Sequence, residues 1–123
     1  MSSLMGRITH FEITSDSPDA ANQFYADAFG WNSEASPFLS GYHLTRTGQG
    51  AGIDGAVMSR DYQQQPVILW LEVSDIATSI AAVKAAGGSQ AGDINEIPGR
   101  GLVAYVADPA GTLFGLKQTI SAG

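Results

Sequence analysis

The most informative feature of this sequence is a strand-like segment that occurs twice. Residues 8–14 read ITHFEIT and residues 68–74 read ILWLEVS, and both alternate side chains as a half-buried β-strand does. A glutamate stands at the same step of each copy, as Glu12 and Glu72, and an apolar helical pattern follows each one. Because the repeat is too long for a helical solenoid and too irregular for a propeller, it predicts two similar halves.

Composition limits the classes of protein to consider. The chain has 123 residues, a length that fits one domain or two half-size units that share a core. Of these residues 44% are apolar and 15% are charged, which favours a compact globule. Its net charge of −6 weighs against nucleic-acid binding, and the absence of cysteine excludes disulfides and thiolate sites. The sequence shows neither a signal peptide nor the run of about 18 apolar residues that a membrane span needs. We therefore expect a cytoplasmic protein that interacts with neither nucleic acid nor membrane.

The first half is predicted to contain a strand, a helix and then further strands. Asp16 or Ser17 can cap the helix. Pro18 suits its first position, and Gly30 suits the position just past its end. Apolar residues recur at helical spacing and predict a buried helix face: Ala21, Phe24, Tyr25, Ala28 and Phe29. Strand-like runs follow at residues 41–47 and 52–59.

The second half repeats this order of elements. Asp75 can cap its helix, and two glycines at residues 87–88 can end it. Three strand-like runs follow, at residues 93–97, 101–108 and 112–118. The sequence therefore predicts one α+β domain over residues 1–123, with two βαβββ repeats at about 6–60 and 66–119. Their mixed sheets are expected to curve around a cleft.

Alternation along the repeated strand indicates which side chains face that cleft. On the first copy Phe11 and Ile13 suit the face packed against a helix, which leaves Glu12 on the opposite face. The same alternation places Trp70 and Glu72 opposite the apolar face of the second copy. Four side chains are thus predicted to line one cleft: His10, Glu12, Trp70 and Glu72. An indole beside carboxylates favours a flat aromatic or cationic molecule.

Residues 8–31, 70–88 and 97–118 carry the two helix patterns and a DPAG turn before the last strand. These segments resemble the vicinal oxygen chelate superfamily, which includes glyoxalase I, extradiol dioxygenases and bleomycin-resistance proteins. The likeness covers nearly the whole chain and is closest to the small, single-domain, glyoxalase-like branch. It implies the fold predicted above. Since members usually close their cleft with a second chain, it also implies a homodimer.

Metal-dependent members of this superfamily carry ligands on two strands of each half. By that pattern His10 is the one residue that matches a ligand by position. Ile68 or Trp70 stands at the first position of the second half, and Gly115 stands where the last-strand glutamate is expected. The middle of the first half offers Asp54 alone. Because a metal enzyme needs about three protein ligands, we expect no cofactor, with a divalent metal as the alternative.

Two functions of different classes remain open. The first is a small-molecule-binding protein, like the bleomycin-resistance members, that sequesters an aromatic or cationic compound through His10, Trp70 and Arg100. Arg100 can reach an anionic ligand at the cleft mouth, or it can be an ordinary solvated loop residue. The second is a lyase or isomerase related to lactoylglutathione lyase, in which Glu12 or Glu72 acts as acid or base. This chemistry would proceed with a metal, or without one if His10 shares the proton transfer.

Overall fold

A computed structural model describes residues 6–119 of the chain. Within them lie two helices, α1 (Pro18–Phe29) and α2 (Ile76–Ala85). The strands are β1 (Arg7–Ser15), β2 (Asn32–Ala35), β3 (Tyr42–Arg46), β4 (Gly55–Ser59), β5 (Val67–Glu72), β6 (Ser89–Gln90), β7 (Asn95–Ile97), β8 (Gly101–Ala107) and β9 (Leu113–Thr119). The predicted α+β class is confirmed. Parallel and antiparallel strand pairs both occur, so the predicted mixed character of the sheets is confirmed as well.

The chain divides into two compact units. The first unit is residues 10–68, and the second unit contains the described residues 6–9 and 69–119. The strands of the first unit are arranged in the order β2–β3–β4–β1, in which β4 pairs antiparallel with β3 and parallel with β1. Because β4 is an inner strand of this unit, its residues Ala56, Val57 and Met58 are almost fully buried.

The sheet of the second unit uses the same pairing order. Strand β9 pairs parallel with β5 and antiparallel with β8, and β8 also pairs with the short strands β6 and β7. One face of this sheet packs against α2. The buried residues of that core are Val73, Ile76, Ile80, Ala104, Val106 and Leu116. The core therefore consists of alternate residues of the strands and one side of the helix.

The helix ends follow the predicted signals. Ser17 is the N-cap residue of α1, Pro18 opens the helix, and Gly30 ends it with a φ of 75°, a left-handed conformation that glycine adopts without strain. Asp75 caps α2, since its side chain accepts a hydrogen bond of 3.0 Å from the backbone N–H of Thr78. No helix within the described part of the chain is long and apolar enough to span a membrane.

The predicted buried face of α1 is wrong. No residue of α1 is buried, and Phe24 and Phe29 are 58% and 63% exposed. The aromatic rings of this region contact one another, as in the stacked pair of Tyr25 and Trp31 with ring centroids 4.9 Å apart. Phe24 and Phe29 contact each other, and Phe29 also contacts Trp31, yet both phenylalanines keep more than half of their surface in solvent.

Candidate functional site

The first unit contains a buried carboxylate with a tyrosine partner. Glu12 on β1 is 3% exposed, and its Oε2 accepts a hydrogen bond of 2.8 Å from the phenol of Tyr42. Strand β4 lies between β1 and β3, so the long side chain of Tyr42 crosses β4 to reach Glu12. A buried carboxylate requires such donors because burial without them is costly. Tyr42 thus stabilises Glu12 on the face of the sheet that strand alternation predicts.

His10 joins the same group of side chains. Its Nε2 lies 3.4 Å from the phenol oxygen of Tyr42. Because the phenol proton is directed to Glu12, its oxygen is the acceptor for His10, which requires the tautomer protonated at Nε2. His10, Tyr42 and Glu12 therefore form a chain of three side chains linked by hydrogen bonds. Sequence reasoning missed Tyr42, since strand periodicity alone does not show which residue two strands away reaches Glu12.

An aromatic pair occupies the corresponding face of the second unit. Gly115 on β9 is the register partner of Trp70 on β5 and of Tyr105 on β8. The rings of Trp70 and Tyr105 meet with their centroids 5.1 Å apart and their planes tilted by 58°. Trp70 is 8% exposed, whereas Tyr105 is only partly buried. Tyr105 thus offers a ligand more ring surface than Trp70 does.

Two of the positions at which the resemblance implies metal ligands, Ile68 and Gly115, carry no ligand atom in their side chains. Gly115 has no side chain, and a Cβ atom built on it would overlap with the indole carbons of Trp70. Ile68 is fully buried, and its side chain has no atom that could bind a metal ion. In residues 6–119 no three side chains of histidine, aspartate or glutamate lie close enough together to hold a metal ion. An indole ring therefore covers Gly115, the position at which the resemblance implies a metal-binding glutamate.

Glu72 and Arg100 occupy separate places in the second unit. Oε2 of Glu72 accepts two hydrogen bonds from Thr119, one of 3.0 Å from the backbone N–H and one of 2.6 Å from the hydroxyl. Arg100 is exposed in the turn before β8, where its backbone N–H donates to Ile97. It forms no ion pair with the residues that the structure describes. Glu72 and Arg100 remain site residues by prediction only.

The structure thus groups the predicted residues by unit. His10 and Glu12 meet at Tyr42 in the first unit, and Trp70 meets Tyr105 in the second. The expectation that one cleft holds all of them stays a prediction.

Comparison with known proteins gives one match of the sequence to a family model and several matches to solved structures. The family model described as "Glyoxalase-like domain" matches residues 10–116. A methylmalonyl-CoA epimerase from Mycobacterium tuberculosis is similar in structure, with 15% identity, a TM-score of 0.68, and coverage of 98% of this chain and 93% of that one. A glyoxalase/bleomycin resistance protein/dioxygenase superfamily member from Vibrio splendidus 12B01 has 17% identity, a TM-score of 0.66, and coverage of 93% and 99%. No curated protein matches the sequence. At these identities the structural matches support the fold alone.

Proposed function

The chain belongs to the glyoxalase-like domain family, and on this basis we propose that it is a small-molecule-binding protein that binds an aromatic compound without a metal ion. The contact between Trp70 and Gly115 is the main support for this proposal. It places an indole ring over the position at which the resemblance implies a metal-binding glutamate. Tyr105 enlarges this aromatic surface.

The cationic ligand expected from the sequence has less support than the aromatic one. That expectation rested on the attraction of the Trp70 ring for a cation and on a carboxylate that accepts hydrogen bonds from the ligand. Glu12 already accepts a hydrogen bond from Tyr42, and Glu72 accepts two from Thr119. These contacts engage one oxygen of each carboxylate, which weakens the carboxylate part of the support, so we retain the aromatic part of the expectation.

Ligand-dependent stabilisation tests this function. We would measure the melting temperature with single-ring and two-ring aromatic compounds in buffer that contains a chelator. A ligand present at about 100 times its Kd stabilises a protein by about 2.7 kcal/mol through mass action. Tyr105→Leu should reduce the shift, whereas Tyr62→Leu should not, because Tyr62 is an exposed residue of the first unit. Stabilisation that requires added metal, or that survives Tyr105→Leu in full, would contradict the proposal.

A lyase or isomerase remains the second candidate because of the chain formed by His10, Tyr42 and Glu12. A buried carboxylate can remove a proton from carbon next to a carbonyl group, which leaves the electron pair of the C–H bond in an enolate. Return of the proton to the opposite face inverts the carbon, and return to a neighbouring atom isomerises the substrate. Several structural neighbours are named as methylmalonyl-CoA epimerases, which agrees with chemistry of this kind. Tyr42 would orient Glu12, and His10 would supply or accept the second proton.

Hydrogen exchange distinguishes this candidate from simple binding. In D2O an active enzyme would place deuterium at the carbon next to the carbonyl of methylmalonyl-CoA, which NMR detects even without net turnover. Glu12→Gln should abolish the exchange, and Glu96→Gln, an exposed residue on β7, should leave it unchanged. If the exchange is absent from the unmodified protein while aromatic ligands bind, the protein is a binding protein. If Glu72→Gln rather than Glu12→Gln abolishes exchange, the base has been assigned to the wrong glutamate.

A further inference from the structure

Lys117 lies on the same face of the second unit as the aromatic pair. It follows Gly115 by two residues on β9, and side chains two apart on a strand share a face. Leu116, between them, points the other way into the core against α2. The side chain of Lys117 therefore leaves the sheet on the face that α2 does not cover, next to the row formed by Trp70, Gly115 and Tyr105.

Lys117 differs from the other basic residues in its surroundings. Two arginines form ion pairs, Arg46 with Glu34 and Arg60 with Asp16. The three other basic residues, which form no ion pair within residues 6–119, are exposed: Arg7, Lys84 and Arg100. Lys117 alone is half-buried and forms no ion pair within residues 6–119. A lysine can cover apolar surface with its stem while its ammonium group stays in water, where it can form a charge-assisted hydrogen bond with an anionic ligand.

Glu72 is the acidic residue opposite Lys117 in register, but the two form no ion pair in the described part of the chain. The two are cross-strand partners on β5 and β9. Oε2 of Glu72 nevertheless takes both of its hydrogen bonds from Thr119, the last residue of β9. The carboxylate is thus held toward the end of the strand, and Lys117 is left able to pair with another anion. The negative charge of Glu72 still opposes binding of an anion nearby.

We propose that Lys117 binds the carboxylate of an aromatic carboxylic acid whose ring lies against Tyr105, an inference that rests on the aromatic-ligand function proposed above. Tyr105 and Lys117 are diagonal neighbours on adjacent strands, because the register partner of Tyr105 is Gly115, and such positions are about 7–8 Å apart. That spacing matches a carboxylate joined directly to a ring, since the lysine side chain is flexible enough to close the remaining distance. Glu72 weakens this binding by charge repulsion.

Matched ligands test the proposal in the intact protein. Calorimetry with 1-naphthoate and with its neutral amide, 1-naphthamide, separates the charge from the ring. We expect Lys117→Met to weaken 1-naphthoate binding about tenfold or more, the usual effect of losing a charge-assisted hydrogen bond, and to leave 1-naphthamide unchanged. Glu72→Gln should strengthen 1-naphthoate binding. Lys84→Met is the control, because it removes the same charge from an exposed position on α2.

The outcomes separate this inference from the function on which it rests. If 1-naphthamide binds but Lys117→Met weakens both ligands equally or neither, the role of Lys117 is wrong and aromatic binding stands. An equal loss of 1-naphthoate binding in Lys84→Met would mean that only net charge matters, which also refutes the inference. If neither ligand binds at millimolar concentration, both the inference and the proposed aromatic function fail for this class of compound. Weaker 1-naphthoate binding at higher salt is expected, because salt screens the attraction.

Discussion

The indole ring of Trp70 rests on Gly115, its register partner on the neighbouring strand, with no space for a methyl group between them. Tyr105 is the partner of Gly115 on the other side and contacts the same indole. Adjacent strands are about 4.8 Å apart, so rings on β5 and β8 meet only because the strand between them carries no side chain here. The glycine is therefore a requirement of the aromatic surface.

Gly115→Ala should displace Trp70 and destabilise the protein by about 1–3 kcal/mol, the usual effect of overpacking. Urea unfolding gives the free energy of unfolding, and near-ultraviolet circular dichroism reports the change around the indole. Trp70→Leu provides the control, because a smaller side chain leaves room for the added methyl. The double variant should then cost less than the two single changes together. Additive costs would show that Trp70 and Gly115 are not coupled.

Tyr42→Phe should lower the free energy of unfolding by about 1–3 kcal/mol, because it removes a hydrogen-bond donor from a buried carboxylate. Tyr62→Phe is a matched control. The Tyr62 hydroxyl also donates a hydrogen bond, to the backbone oxygen of Ser40, but this residue is exposed. Its loss should change stability by no more than about 0.5 kcal/mol. Equal effects of the two variants in urea unfolding would argue against a special role for the contact between Tyr42 and Glu12.

Asp75→Ala should cost about 0.5–2 kcal/mol because it removes the side chain that caps α2. Ser17→Ala is the natural comparison, since Ser17 occupies the equivalent position of α1 but its side chain makes no capping hydrogen bond. Thermal unfolding of the two variants should therefore show a clearly larger loss for Asp75→Ala. A similar loss at Ser17 would mean that its hydroxyl caps α1 in solution.

The protein should bind no divalent metal tightly, because Gly115 and Ile68 supply no ligand atoms in their side chains. Elemental analysis of protein purified without chelators should find substoichiometric nickel, zinc and iron. Addition of a chelator should leave the melting temperature unchanged. Stoichiometric metal that a chelator removes with loss of stability would contradict this prediction.

We expect a homodimer, with a mass in solution near twice the 12.8 kDa of one chain. The exposed rings of Phe24 and Phe29 are an apolar surface of the kind that assemblies cover. Phe29→Ser should weaken the association, while Phe38→Ser, at an exposed loop residue, should not. Light scattering across micromolar concentrations measures both. A mass of one chain throughout that range would refute the prediction.

Features that depend on neighbouring residues in the sequence were predictable. Asp75 and Gly30 mark helix ends because capping depends on side chains and backbone angles within one turn. Strand β1 and its alternation followed from periodicity in the same way. Strands β2 and β6 were not predicted individually, because such short strands are defined by their pairing with β3 and β8 rather than by their own residues.

The candidate site was predictable only in part. Periodicity placed Glu12 on the face of the sheet where Tyr42 now contacts it, but it carried no information about Tyr42 itself. Tyr105 and Lys117 were missed because their importance arises from cross-strand register with Gly115 and Glu72. The buried face predicted for α1 failed because helical spacing identifies an apolar stripe and not what covers it.

The two tryptophans of the chain belong to different units, each against a tyrosine. Trp31 stacks on Tyr25 in the first unit, and Trp70 packs on Tyr105 in the second. Their fluorescence therefore provides a separate, label-free signal for each unit. Trp31→Phe would leave emission from the second unit alone, and Trp70→Phe would leave emission from the first. Denaturation curves of these two variants show whether the chain unfolds in one cooperative step or unit by unit. In one cooperative step, the two midpoints agree once the effect of each substitution on stability has been subtracted.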